Sequence, residues 1–499
     1  MGVVIRQSFK GTILTYIGAF LGFITQFYIV AKYLSPDIIG LTKVFYEVGA
    51  LFAGIGIFGI TASGMRFFPY FRNNKNGNNG FFFYYMAIPL IGTIFVTIIL
   101  LFIKEPVLDF FGSKSSLFAD YFYLVIPLVF ILAFWQAIEN YSNINMKIAF
   151  PKGVREVCLR TFLLVCYLLF AFGYLDLTGM MISIVISYGL CLALDFIYVG
   201  KTSSITLKHD FSFITPALKR KYLSYTGFLI LAALTGNLMN QLDIFMLSSV
   251  KGLYSAGIYT IAYFMANIID MPSRSITAIS TPLAAQALKE GNFEKANKLY
   301  QNVSIHQLMI SSVLLLIIWV NIDNIYAILP NGEKFSEGKY VVLYLGLSKI
   351  IMSTLNFGGV LIQFSKYYYW TLFITLFLTG LTIFTNLFFI PRMGISGAAL
   401  ATLIATVISF CYQQYLVQRK VRGNPFTLQT LLMVGIVLAL WGINKLIPSV
   451  AEVSPWLDIL LRTALLCIFA CGAILKLKIS PEFSETFGQL LDKRTKNNG

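Results

Sequence analysis

Charged side chains inside long apolar segments are the residues of this sequence whose chemistry stands out. A charge placed in hydrocarbon is costly, so each one requires a partner or a function. Lys349 is the clearest case, because it lies well inside the apolar segment 339–363. We expect it to face a cavity or a carboxylate, unless its long stem lets the ammonium reach the membrane surface. The other members of this group are Arg66 at the end of a segment, Glu47, Glu139, Asp195, Asp243, Asp270 and Arg274.

Two pairs of opposite charges have helical spacing. Lys43 precedes Glu47 by four residues, and Asp270 precedes Arg274 by the same interval, so each pair shares one helix face. Each pair allows two interpretations, which can both hold. The pair neutralises itself and makes a polar face tolerable in the membrane, or that face lines a cavity.

A group of amides lies on one predicted helix, at Asn237, Asn240 and Gln241, with Asp243 beside them. Amides can satisfy the hydroxyls of a sugar, and they also join helices inside membranes. Asp243 is a candidate either for binding a coupling ion or for pairing with another helix.

Signatures of enzyme chemistry are missing from the sequence. Its six cysteines and two histidines have no metal-binding spacing, so we expect no metal and no other cofactor. GIGIFG at 54–59 spells a dinucleotide-binding pattern, but it lies inside an apolar helix and follows no strand. We therefore assign it to close helix packing. Without a Walker A motif or a nucleophile–His–carboxylate set, the chain is predicted not to be an enzyme.

The elements that position these side chains are predicted to be transmembrane helices. The chain has 499 residues, of which 57% are hydrophobic and 12% charged, about half the charge of a soluble domain. Its apolar runs are continuous, which favours helices over barrel strands. The predicted fold is all-α with about fourteen spans, at 10–31, 41–65, 80–103, 119–139, 156–175, 177–199, 223–247, 254–279, 304–328, 339–363, 368–390, 394–417, 427–447 and 456–475.

The net charge of +16 follows this topology and does not indicate nucleic acid. With the N-terminus in the cytoplasm, most of the 38 lysines and arginines fall on the cytoplasmic side of the predicted spans. The positive-inside rule therefore predicts a multi-pass protein with both termini in the cytoplasm.

An internal repeat divides the first twelve spans. Matched residues recur at a nearly constant spacing along the chain, namely Gly40 with Gly257, Lys147 with Lys366 and Gly179 with Gly397. Six spans per repeat give both halves the same orientation, an arrangement typical of transporters with a central cavity between two lobes. The predicted domains are 1–221 (spans 1–6), 222–420 (spans 7–12) and 421–499 (the C-terminal helix pair and tail).

Four stretches of the sequence carry a family resemblance. They are SFKGTILTYIGAFLGFITQFYIVAKYLSPDIIG, LDIFMLSSVKGLYSAGIYTIAYFMANIIDMPSRSI, TPLAAQALKEGNFEKANKLY and LFFIPRMGISGAALATLIATVIS. The chain resembles the Wzx-like O-antigen and capsule flippases of the multidrug/oligosaccharidyl-lipid/polysaccharide exporter superfamily. The last two helices resemble the flippase branches, since the related drug exporters usually have twelve. The lipid II flippases typically carry arginines in their first helix, and the span from Thr12 to Ala31 has none.

The resemblance implies a flippase of the bacterial inner membrane. It would move an undecaprenyl-diphosphate-linked oligosaccharide to the outer leaflet by alternating access, for O-antigen or lipopolysaccharide biosynthesis. It would act as a monomer among membrane lipids, with a polysaccharide polymerase as a candidate partner and no nucleic acid. Basic residues at inner helix ends suit the diphosphate, although the same residues serve as ordinary membrane anchors: Arg66, Lys147, Arg160, Arg274 and Lys366.

Two other functions remain open at this point. A cation-coupled multidrug exporter of the same superfamily would have a more apolar cavity and a lone carboxylate for the ion, with Asp243 or Glu47 as the candidate. A membrane glycosyltransferase or polymerase would need a large outward loop with catalytic residues. The longest outward loops predicted here are short.

Overall fold

The computed structural model describes residues 2–71, 78–112, 115–203, 241–477 and 479, and it covers most side chains from Ile13 onward. Throughout these ranges every regular element is a helix, and no strand occurs in them. Nine helices of the described part are long and apolar enough to cross a membrane. The predicted all-α, multi-pass membrane fold is confirmed. The count of fourteen stays a prediction, since most of the predicted seventh span, at 223–247, lies outside the described residues.

The chain forms two compact units, Met1–Gly257 and Ile258–Gly499. The predicted three-part division at residues 221 and 420 stays a prediction. In the N-terminal unit the main helices are α1 (Gly2–Ile24), α2 (Pro36–Gly56), α3 (Ile60–Phe71), α4 (Phe81–Phe102), α5 (Phe122–Ile144), α6 (Leu159–Ala171) and α7 (Leu177–Thr202). Short helical segments at Lys104–Phe111 and Ser116–Asp120 join α4 to α5.

Helix starts in this unit follow local sequence chemistry. α2 begins with Pro36 in its first turn, and the Ser35 side chain accepts a hydrogen bond from the Ile38 amide at 3.4 Å. α7 begins where the Asp176 side chain accepts from the Gly179 amide at 2.7 Å. Such N-caps satisfy amides that a helix leaves unpaired at its start.

The predicted span 41–65 is two helices, because the chain breaks between α2 and α3. Phe58 and Gly59 both have positive φ there, of 50° and 65°. Just before the break, Gly56 and Gly92 bring the backbones of α2 and α4 together, and a Cβ on Gly92 would overlap the Gly56 carbonyl oxygen. Close helix packing at Gly56 is thus present as expected, whereas the helix break at Gly59 was not expected.

Two π-helical stretches interrupt helices of the N-terminal unit. Thr25–Val30 continues α1, and Val154–Cys158 joins the segment Ala149–Gly153 to α6. Arg160 crosses to α1, where its guanidinium donates to the Gly18 carbonyl at 2.5 Å while pairing with Glu156 at 2.9 Å. This arginine therefore anchors α6 to α1.

The matched residues Gly40 and Gly257 form a reciprocal contact. A Cβ on Gly40 would overlap the carbonyl oxygen of Leu253, and a Cβ on Gly257 would overlap that of Pro36. The sequence interval from Pro36 to Leu253 is the same as the interval between the two glycines. The beginnings of two equivalent helices of the predicted repeat therefore pack on each other through the same backbone positions.

The remaining helices are α8 (Leu253–Ile268), which crosses the boundary between the units, α9 (Met271–Lys289), α10 (Phe293–Val320), α11 (Ile322–Ile328), α12 (Lys339–Phe364), α13 (Trp370–Val421), α14 (Leu428–Asn444) and α15 (Pro455–Lys476). The segment 280–303 is shared by two long helices. Its first part ends α9, its last part begins α10, and a turn at Gly291 joins them.

The chain reverses inside α13 at Gly394, whose φ of 59° and ψ of −131° are not helical. Thr385 donates to the Ala401 carbonyl at 3.1 Å, although these residues would lie about 24 Å apart along one straight helix. α13 is therefore two antiparallel helices, as the predicted spans 368–390 and 394–417 require.

The C-terminal helix pair belongs to the C-terminal unit. α14 and α15 pack on α10 through an apolar cluster that includes Leu308, Met433 and Leu466. A buried ion pair joins Asp458 to Arg462 at 2.7 Å, and Asn324 of α11 donates to the same carboxylate at 2.6 Å. Both apolar packing and polar contacts thus fix the pair to its unit.

Candidate functional site

A polar cavity of about 320 Å³ lies in the C-terminal unit. It is formed by the start of α9, the middle of α10 and the middle of α12. Its walls combine hydroxyls, amides and one ion pair with apolar side-chain surface. The side chains that line it are Asp270, Ser273, Arg274, Thr277, Ala278, Gln307, Met352, Ser353 and Asn356.

The predicted pair Asp270–Arg274 forms part of this cavity. The guanidinium lies 3.2 Å from the carboxylate, and the Arg274 side chain is 69% exposed while that of Asp270 is 23% exposed. Because the carboxylate is the more enclosed partner, the arginine can turn its remaining donors toward a bound molecule. Five N–H donors on a planar group suit an anionic or polyhydroxylated ligand.

Gln307 is the most enclosed polar residue of the cavity, at 1% exposed. Its amide donates to the Thr277 hydroxyl at 2.9 Å and to the Ser273 carbonyl at 3.2 Å. Its carbonyl oxygen has no hydrogen-bond partner among the described residues. A buried acceptor left open in this way is available to a donor from a ligand hydroxyl.

Lys349 lies on the same face of α12 as three residues of this cavity. Met352, Ser353 and Asn356 follow it at helical spacing. Its ammonium is 5.6 Å from the centre of the Tyr263 ring, and within the described ranges it forms no ion pair. An aromatic face therefore partly compensates its charge.

The N-terminal unit holds a second group of charged residues, around α2, α5 and α7. Glu47 pairs with Lys43, which lies 5.9 Å from the Tyr46 ring. Tyr46 stacks on Tyr188 at 5.7 Å, and Tyr188 meets the Trp135 ring edge-on at 6.1 Å. A row of neighbouring side chains thus extends from the Lys43–Glu47 pair to Trp135.

At the Trp135 end of this row of side chains lies a further ion pair, formed by Glu139. Glu139 pairs with Arg155 at 2.5 Å, and that guanidinium lies 5.2 Å from the Trp135 ring. The Trp135 indole donates to Asp195 at 2.7 Å. Arg155 is not among the predicted site residues. Its pairing escaped prediction because Glu139 and Arg155 belong to different helical segments, with no fixed spacing between them.

The remaining predicted site residues are Asn237, Asn240, Arg66, Gln241 and Asp243. Asn237, Asn240 and the side chain of Arg66 are not among the described residues. Gln241 is 7% exposed, and its carbonyl oxygen lacks a hydrogen-bond partner in the described part of the chain. Asp243, the predicted ion-coupling residue, is half-buried in the helix at 241–251.

Comparison with known proteins places this fold among membrane transporters. Residues 229–388 match the family MatE. A solved structure of the lipid II flippase MurJ in an inward closed conformation aligns with a TM-score of 0.75 at 14% identity, covering 94% of this chain and 99% of that one. No curated protein matches.

Two further structures share the fold over less of this chain. An inward-facing multidrug resistance MATE family transporter of the MOP superfamily aligns with a TM-score of 0.63 at 16% identity, covering 81% of this chain and 94% of its own. A MOP superfamily transporter from Pyrococcus furiosus aligns at 0.55 and 15% identity, covering 84% and 95%. All three are similar in fold to this chain.

Proposed function

We propose that this chain is a flippase that moves an undecaprenyl-diphosphate-linked oligosaccharide across the bacterial inner membrane by alternating access. It would supply the synthesis of a cell-surface polysaccharide such as O-antigen. Both termini would lie in the cytoplasm, and the protein would act as a monomer, with a polysaccharide polymerase as a candidate downstream partner.

The extent of the likeness to the lipid II flippase carries this proposal. That alignment covers 94% of this chain. The part it leaves uncovered is shorter than the segment 421–499, so the likeness reaches into the C-terminal helix pair. The alignment with the multidrug transporter covers a smaller share, 81% of the chain. A helix pair held in place by apolar packing and a buried ion pair is thus a feature favouring the flippase assignment.

The chemistry of the polar cavity supports a glycan-bearing substrate. Gln307, Ser353 and Asn356 offer the donors and acceptors that sugar hydroxyls require. Arg274 and Lys349 lie on neighbouring helices and suit a diphosphate through charge-assisted hydrogen bonds. We therefore assign Lys349, Arg274, Asp270 and Gln307 to substrate binding in the C-terminal unit, and Glu47, Glu139, Arg66, Asn237, Asn240 and Gln241 as further cavity candidates.

A cation-coupled multidrug exporter is the second candidate, favoured by the MatE match at 229–388. Asp243 would then be the ion-coupling carboxylate. Such a cavity should hold a lone carboxylate for the ion, whereas the carboxylate of the cavity on α9, α10 and α12, Asp270, is paired with Arg274. This ion pair therefore ranks the exporter below the flippase.

Deletion of the gene in its natural host tests the proposal. We expect lipid-linked oligosaccharide to accumulate on the cytoplasmic face of the inner membrane, and expression of the intact chain to clear it. Unchanged lipid-linked sugar pools together with reduced dye efflux would reject the flippase and select the multidrug exporter.

A further inference from the structure

Asp195 of α7 is a fully buried carboxylate, 0% exposed. Its two oxygens differ in their hydrogen bonds. Oδ2 accepts the Trp135 indole proton at 2.7 Å. Oδ1 has no hydrogen-bond partner among the residues that the structure describes. A charged carboxylate in this position would leave its desolvated oxygen unpaired, whereas the neutral acid avoids burying a charge.

The nearest cation is already engaged by another carboxylate. Arg155 pairs with Glu139 at 2.5 Å, and its guanidinium lies 5.2 Å from the ring of Trp135, the residue that contacts Asp195. Asp458 in the C-terminal unit provides the contrast. It is equally buried, but Arg462, Asn324 and the Val450 amide bond its two oxygens.

The other titratable groups around Asp195 do not supply a counter-ion. The thiols of Cys158, next to α6, and Cys191, on α7 itself, interact with the carboxylate. On the side of α2, Tyr188 separates it from Tyr46 and the self-neutralised pair Lys43–Glu47. Lys152 and Glu156, of opposite charge, act on Glu139.

The same surroundings distinguish between the cations that such a carboxylate could bind. Hard metal cations require several oxygen ligands. The groups around Asp195 are an indole, two thiols and the ion pair of Arg155 with Glu139, whose carboxylate oxygens already accept from the guanidinium. A proton needs only the carboxylate oxygen, so this environment suits a proton and does not suit sodium.

We propose that Asp195 is a proton-binding site of the N-terminal unit, with the proton on Oδ1 in the arrangement seen here. Release of the proton requires a cation beside Asp195, and Arg155 is the one within reach. If Arg155 leaves Glu139 for Asp195, the O–H bond at Asp195 breaks and one forms on the carboxylate of Glu139. The unit then keeps its net charge, while the proton moves from α7 to α5. Proton binding and release at this site supply energy to any transport that the protein performs, whatever the substrate.

Infrared difference spectroscopy of the full-length protein in lipid nanodiscs, titrated with acid and base and without substrate, tests this site. We expect a protonated carboxylic acid band at neutral pH that disappears at alkaline pH. Asp195→Asn should abolish the band, because Asn keeps the acceptor for Trp135 but cannot ionise. Asp458→Asn removes a buried carboxylate that is already paired with Arg462, so it should leave the band in place and serves as the matched control.

A second variant keeps the test decisive if Asp195→Asn does not fold. Trp135→Phe removes the hydrogen bond that favours the ionised form, so the band should persist about one pH unit higher, the tenfold effect of one charge-assisted hydrogen bond. No titrating acid band, a band that survives Asp195→Asn, or a band that responds to NaCl at constant pH and ionic strength would each overturn the proposal. None of these readouts depends on what the protein transports.

Discussion

Replacing Gly40 or Gly257 by alanine is expected to destabilise this protein, and by similar amounts. At both positions the new Cβ would lie closer than 3.0 Å to a backbone carbonyl oxygen, of Leu253 for one and of Pro36 for the other. A backbone atom cannot rotate away, so the two helices must move apart. Overpacking of this kind costs about 1–3 kcal/mol, and the helix-favouring effect of alanine offsets it by up to about 1 kcal/mol.

Thermal melting of the purified protein, followed by tryptophan fluorescence, measures this effect. Gly435→Ala is the matched control, because no atom of the described residues lies within 4 Å of its new Cβ, and its melting temperature should be unchanged or higher. The double variant of Gly40 and Gly257 should lose less than the sum of the single losses, since both alanines separate the same two helices. A Gly40→Ala variant that melts as high as the control would refute the reciprocal contact.

Three further predictions concern the cavity and the helix packing. Lys349→Ala should abolish clearance of lipid-linked oligosaccharide while Lys349→Arg retains it, and normal clearance by the alanine variant at wild-type abundance would contradict a cavity role. Arg462→Leu should cost about 3–5 kcal/mol of stability in thermal melting by leaving Asp458 unpaired, and adding Asp458→Leu should restore most of it; a double variant no more stable than the single one would argue against this. Gly22→Ala should lower the melting temperature because its Cβ would overlap the Arg160 guanidinium, and this loss should disappear in an Arg160→Ala background.

Helix positions were largely predictable because burial in a bilayer imposes one requirement along the whole chain. Apolar runs of sufficient length must become helices, whatever their neighbours are. The reversal near Gly394 was anticipated in this way from two adjacent apolar runs. The break at Phe58–Gly59 was not, since it depends on how α2 meets α4 at Gly92, a contact between segments distant in sequence.

Ion pairs were predictable only where they are local. The pairs Lys43–Glu47 and Asp270–Arg274 follow from helical spacing, and both are present. Glu139 was found as a buried charge, but its partner Arg155 comes from a separate helical segment. Gln307 escaped notice because an amide inside a long helix has no distinctive pattern. Its position becomes informative only when α9 and α12 are seen beside it.

The single-residue turn at Gly394 has a consequence for the biosynthesis of this protein. Two apolar helices joined without a loop have no polar segment between them that could stay on one side of the membrane during synthesis. They must enter the bilayer together as a hairpin, and the hydrogen bond from Thr385 to the Ala401 carbonyl can form only once the second helix has emerged. A nascent chain that stalls near Arg392 would therefore carry an incomplete helix pair, and the membrane insertion machinery must hold the first helix until the second arrives.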